Sequence, residues 1–295
     1  MLVLDTIEHE TIWGGRRLSR DKSRNKKIGH LYSLITEAGT ASKILNGPHA
    51  GEPFRDYFQS HKDELGLGGY SEFPFVVALV EAQENLSIQV HPDDETAWAL
   101  ERQKHGKNES WFFLEAPADG WIYNGCACES KAALSQKLKS HDMEGITDKL
   151  AVKRDDYVYV EAGTLHSLTR GALVYEIEEN SNLTYRFYDF DRRDQWGNLR
   201  ELHMDKACQA LDVDKKSSAT NYSGANPISQ KRYSTQLIKD ACSYENISQS
   251  VVCLTLLEGD IEADGIIIAP GTSVLLLPGE RIEWKIKTAM VAYPV

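Results

Sequence analysis

Three stretches decide how this chain reads: ENLSIQVHP (84–92), ESWFFLEA (109–116) and DDYVYVEAGTLHSL (155–168). In each, apolar and polar residues alternate over a few positions, the period of a β-strand whose two faces meet different surroundings. FPFVVALVEA (73–82), ALVYEIEE (172–179) and LTYRFYDFD (183–191) read the same way. So do VVCLTLLEGDIE (251–262), GIIIAPGTSVLLLPGE (265–280) and RIEWKIKTAMVAYP (281–294), where APG and LPGE mark tight turns. Many short strands without β-α-β alternation predict a mainly β chain, an antiparallel sandwich or barrel. Helical spacing is confined to 52–66, 93–106, 130–140 and 202–211. In the second of these, Asp93 or Asp94 is expected to cap the first turn and Gly106 to close the last. Residues 212–233 are polar, rich in Ser, Asn and Lys, and lack periodicity, so they are the linker candidate. The expected organisation is a larger first module, 1–211, decorated with helices, and a smaller β-module, 234–295.

The chain has 295 residues with 41% hydrophobic and 26% charged, enough for a substantial core, and a net charge of −11. That balance argues against nucleic acid or an anionic membrane as partner, because reading phosphates along a surface needs a basic footprint. A small anionic substrate remains compatible, since a local group of Lys and Arg can reverse the field in one pocket. The start, MLVLDTIEHETIWGG, lacks the features of a signal peptide, and no run approaches the roughly 20 apolar residues that span a bilayer. The five cysteines, Cys126, Cys128, Cys208, Cys242 and Cys253, are odd in number and scattered. They do not form a disulfide framework, and a cytoplasmic setting is expected.

Chemistry concentrates in the first module. Gln89 and His91, two apart on one strand, leave the same face. Pro92 ends that strand, Glu109 opens the next, and His166 follows a Gly-Thr turn. Two imidazoles, a carboxylate and an amide oxygen suit one divalent metal, with zinc, iron or manganese as candidates. The other histidines, His9, His30, His49, His61, His105, His141 and His203, lack such partners in the sequence, and 234–295 contains no histidine.

The segments LSIQVHPDDE, GKNESWF, AGTLHSL and NSNLTYRFYDFDRRD, with IWGG near the start, closely resemble type I mannose-6-phosphate isomerases (phosphomannose isomerases) of the short bacterial kind. The ordered match runs from about Trp13 to His203. The resemblance implies a double cupin, or jelly-roll, fold with helical segments in the first module and no metal site in the second. It implies zinc bound by Gln89, His91, Glu109 and His166, Arg186 as the catalytic arginine, and Lys107 as a lysine acting at the substrate. Trp13, Glu176 and Asn182 are further substrate-contact candidates. The implied reaction interconverts mannose 6-phosphate and fructose 6-phosphate by moving a proton between C1 and C2 through a cis-enediolate. A divalent metal can stabilise the charge that develops there. Arg186 suits charge stabilisation or a phosphate clamp better than base chemistry. Lys107 could move a proton if its pKa were lowered by burial and a nearby metal.

The match departs from the family at several points. Gly29-His30-Leu31-Tyr32 stands where Gly-Glu-x-Trp is usual, Ala78 replaces a lysine, and Asn182 replaces an acidic residue. Glu161-Ala162 replaces Pro-Ser. These changes keep two alternatives open: a sugar-phosphate-binding or regulatory cupin with little turnover, and a cupin of different chemistry such as an iron oxygenase.

Overall fold

Ile88 and Val90 leave one face of their strand and Gln89 the other, and this alternation organises the sheet that carries the site. The computed structural model describes residues 1–140, 142–263 and 265–295, so His141 lies outside the described residues. The sheet is antiparallel, in the order Tyr185–Tyr188, Ile88–Val90, His166–Ser167, Trp121–Cys126, Thr147–Ala151. On its apolar face Ile88, Val90, Tyr123, Tyr185 and Phe187 form one core with Leu134 of helix Lys131–Lys139 and Ala207 of helix Met204–Ala210. Each large side chain buried this way stabilises the fold by about 1.5–3 kcal/mol. On the polar face the register aligns Arg186 with Gln89, Gln89 with His166, and His166 with Asn124. Residues directly opposite in a ladder share a face, so these four side chains form one row.

A second antiparallel array runs Ala219–Asn221, Asp156–Val160, Glu109–Glu115, Leu173–Glu179. Its register sets Glu178 opposite Glu109 and Glu176 opposite Trp111. The two arrays belong to one compact unit, His9–His30 with Val80–Asn221. The other unit comprises Met1–Glu8, Leu31–Leu79 and Tyr222–Val295. Its main sheet runs Leu2–Val3, Ser273–Leu276, Val252–Glu258, Ile286–Pro294, Tyr233–Ala241, Ile228–Ser229. Val252, Leu254, Leu256, Val274, Ile286 and Val291 lie in its apolar core.

The mainly β architecture expected from the sequence is therefore present, with helices as decoration. Its division along the chain differs from the expected 1–211 and 234–295. Met1–Glu8 and Leu31–Leu79 group with the C-terminal strands, because Leu2 pairs with Leu275 and Leu65 accepts a hydrogen bond from Val251 N at 2.8 Å. The segment 212–233 is not an unpaired linker. Ala219, Thr220 and Asn221 pair with Val158, Tyr157 and Asp156, and Ile228 pairs with Thr235. Backbone pairing needs no side-chain periodicity, which is why a Ser/Asn/Lys-rich segment can form strands.

The helices are shorter than their sequence patterns. The stretch 52–66 yields Phe54–Ser60, and 93–106 yields Asp94–Glu101. Asp93 caps the latter by accepting from Thr96 N at 2.8 Å. Arg102, in the left-handed conformation at φ 58°, ends it, not Gly106. Gly106 is required for another reason: a Cβ there would sit 2.2 Å from Pro92 O. No helix of the described residues is long and apolar enough to cross a membrane.

Candidate metal centre

His91 and His166 are buried, and each ring is fixed through Nδ1. His91 Nδ1 lies 2.8 Å from Leu183 O, and His166 Nδ1 lies 2.8 Å from Thr164 O. A carbonyl only accepts, so both Nδ1 atoms carry a proton, and both Nε2 atoms are the ring nitrogens left to face the site. The turn before His166 is built for this delivery. Gly163 takes φ 90°, a left-handed conformation that favours glycine, and its N–H donates to His91 O at 2.8 Å.

Both Nε2 atoms face one carboxylate. His91 Nε2 is 3.1 Å from Glu109 Oε2, and His166 Nε2 is 3.4 Å from Glu109 Oε1. Yet His91 Nε2 and Glu109 Oε1 are buried without a hydrogen bond. Two imidazole nitrogens and a carboxylate thus converge with two of their atoms unsatisfied, an arrangement suited to a bound cation. The three residues offer one ligand atom each within 4.8 Å of one another. Gln89 stands beside them, but its amide nitrogen faces His166 Nε2 at 3.4 Å while its oxygen accepts from Ser87 Oγ at 2.9 Å. The sequence expectation was the oxygen; a half-turn of the amide exchanges the two.

Burial favours the neutral imidazole and pushes His166 down to about 4. Burial also opposes the charge of Glu109, but Lys107, His91 and His166 outweigh it and hold the carboxyl below its ordinary range. Lys107 is itself buried, forming ion pairs with Glu178 and with Glu109 Oε2, the latter at 3.3 Å. Burial disfavours its charge, yet Glu178, Glu109 and Glu176 together raise its pKa above the ordinary lysine value. Three acidic neighbours surround the ammonium and favour its charged form. Burial and the neighbouring carboxylates push Glu176 and Glu178 upward. Glu176 Oε1 accepts from Trp111 Nε1 at 2.8 Å, and the Trp111 ring meets His166 edge-on at 5.6 Å.

Arg186 lies in the polar row beside Gln89, so it is no cross-strand partner of Glu176 or Glu178. Its Nε is buried with no hydrogen-bond partner among the described residues. Trp13 is buried edge-on to His30 at 5.2 Å, a support position behind that imidazole. Asn182 is exposed, in the segment whose next residue, Leu183, orients His91. Ala78 is buried in strand Phe75–Glu81. Glu161 pairs with Lys215, and Ala162 N donates to Asn108 Oδ1 at 2.8 Å.

A model of the phosphomannose isomerase type I catalytic domain matches residues 1–110, which include Gln89, His91, Lys107 and Glu109. A probable mannose-6-phosphate isomerase of Bacillus subtilis is 35% identical over 216 residues, 72% of this chain and 68% of that protein. The chain belongs to the type I phosphomannose isomerase family. A mannose-6-phosphate isomerase of Streptococcus mutans is 33% identical over 223 residues, 74% of this chain and 70% of the relative. The crystal structure of the Bacillus subtilis mannose 6-phosphate isomerase superposes with a TM-score of 0.85 at 28% identity, covering 99% of both chains. The family fold thus extends through the whole chain, including the C-terminal strands.

Within this type I site, sequence reasoning missed Glu178, Trp111 and Asn108. The E-x-E spacing of YEIEE was the available signal for Glu178, since it sets both acids on one strand face. The oxygen of Asn108 that holds Ala162 and the Trp111 indole that holds Glu176 leave no comparable mark in sequence.

Proposed function

We propose that the chain is a metal-dependent aldose–ketose isomerase that interconverts mannose 6-phosphate and fructose 6-phosphate. The observation that carries this reading is the convergence of the His91 and His166 Nε2 atoms with the Glu109 carboxylate. His91, Glu109 and His166 would hold one divalent ion, zinc in this reading, with the Gln89 amide oxygen as fourth donor after its half-turn. Bound there, the ion would supply electrophilic stabilisation of oxygens at C1 and C2 of the sugar.

The chain's own groups carry the rest. The Arg186 guanidinium, beside Gln89 in the row and with its Nε unsatisfied, is suited to hold negative charge on the substrate and cannot act as a base. Lys107, kept cationic by Glu178 and Glu109, serves as a fixed positive charge at the sugar oxygens. Glu176 is the titratable group placed to exchange a proton, since burial and its acidic neighbours raise its pKa above the ordinary carboxylate range. Trp13 and Asn182 contribute from outside this inner group. The five free cysteines fit a reducing compartment, the cytoplasm in this reading.

The test is conversion of mannose 6-phosphate in a coupled assay, with zinc-loaded protein against a chelated control. Turnover that chelation removes and zinc restores is expected. Absence of turnover with one equivalent of zinc bound would replace this reading with a binding or regulatory role.

A further inference from the structure

His30 stands on strand Ile28–Leu34 and faces Glu176, with Nε2 4.0 Å from Glu176 Oε2. The ring is held in place from behind: Trp13 meets it edge-on at 5.2 Å and His9 at 5.9 Å. On the other side, Trp111 fixes Glu176 through its second oxygen. Both members of the pair are thus positioned by aromatic neighbours.

A separation of 4.0 Å exceeds a direct hydrogen bond. It leaves both atoms within reach of a single hydroxyl oxygen set beside them, which can donate to one and accept from the other. Burial, reinforced by His9 and Lys107, pushes His30 down to about 3, so the ring is neutral at pH 7 with one donor and one acceptor nitrogen. A carboxylate in its place would add a fourth acid to Glu109, Glu176 and Glu178. The imidazole offers hydrogen bonding there without charge.

We propose that His30 is a specificity-determining residue beside the candidate metal centre, which with Glu176 reads one hydroxyl of a polyhydroxylated ligand. That the ligand is a hexose 6-phosphate rests on the isomerase reading above.

The test uses metal-loaded full-length protein and the variants His30→Ala and His30→Gln. Steady-state kinetics with mannose 6-phosphate would be run alongside calorimetric binding of mannose 6-phosphate and its C2 epimer, glucose 6-phosphate. Loss of one neutral hydrogen bond predicts that His30→Ala raises KM or the dissociation constant about tenfold. Bound metal should stay at the wild-type level. His30→Gln, which keeps a donor and an acceptor, should recover most of the loss. A residue that only packs against Trp13 would lower the melting temperature and leave KM alone. Wild-type KM and affinities in His30→Ala would overturn the proposal, as would loss of metal together with activity. Should the wild type bind these sugars without turning them over, the isomerase reading fails while the affinity comparison still decides the role of His30. A wild type that binds neither sugar overturns both.

Discussion

The two units each bury a polar cluster, and the two clusters differ in how they are satisfied. In the unit that holds the C-terminal strands, Thr255 Oγ1 lies 2.8 Å from Ser273 Oγ, and Ser273 Oγ donates to Ser33 Oγ at 2.8 Å. Ser33 Oγ in turn donates to Val77 O at 3.4 Å, so the chain of hydroxyls closes on the protein itself. In the other unit, His91 Nε2, Glu109 Oε1 and Arg186 Nε are buried without hydrogen bonds. Similar antiparallel architecture therefore supports two outcomes. Where buried polar atoms satisfy one another they specify packing, and where they converge unsatisfied they leave hydrogen-bonding and donor capacity unused. Both clusters able to hold a metal among the described residues lie in the second kind of unit.

The sharpest way to break this contrast is to remove a converging group. His166→Ala or His91→Ala should abolish metal binding and turnover together, measured by metal analysis beside the coupled assay. Arg186→Ala comes next, and is expected to keep its metal while kcat falls by roughly 10²–10³, the size seen for loss of one charge-stabilising donor. If it also loses metal, Arg186 belongs to the metal shell and the assigned role is wrong. Lys107→Met tests the fixed-cation role, because it strands Glu178 and Glu109. Breaking a buried pair on one side costs about 3–5 kcal/mol, so a clear drop in melting temperature should accompany the lost activity. Wild-type stability and rate at every pH would remove Lys107 from the account. The smallest effect belongs to the self-satisfied chain of hydroxyls. Ser273→Ala should cost about 1–3 kcal/mol through the stranded hydroxyls, with metal content and kcat unchanged.

These regions also differ in what the sequence discloses. Gln89, His91, Glu109 and His166 were legible because Q-x-H sets two side chains on one strand face and a Gly-Thr turn precedes the last histidine. The ion pair of Lys107 with Glu178 was not, because it depends on the register that sets Glu178 opposite Glu109 across a sheet. The grouping of Met1–Glu8 with strands near residue 275 was equally hidden, since such pairing leaves no local pattern. The paired segment 219–221 looked like a linker because its strand is held by backbone bonds to Asp156–Val160. Helix ends were misplaced where Arg102, not a glycine, takes the left-handed turn.

The proposed isomerase depends on the convergence at Glu109 being a metal site. It is tested most directly by titrating metal-depleted protein with zinc while following bound metal and mannose 6-phosphate turnover, in wild type and His166→Ala. The account predicts turnover that saturates at one equivalent per chain in the wild type, with neither binding nor turnover in the variant. Turnover that persists without metal, or zinc bound equally well by His166→Ala, would contradict it.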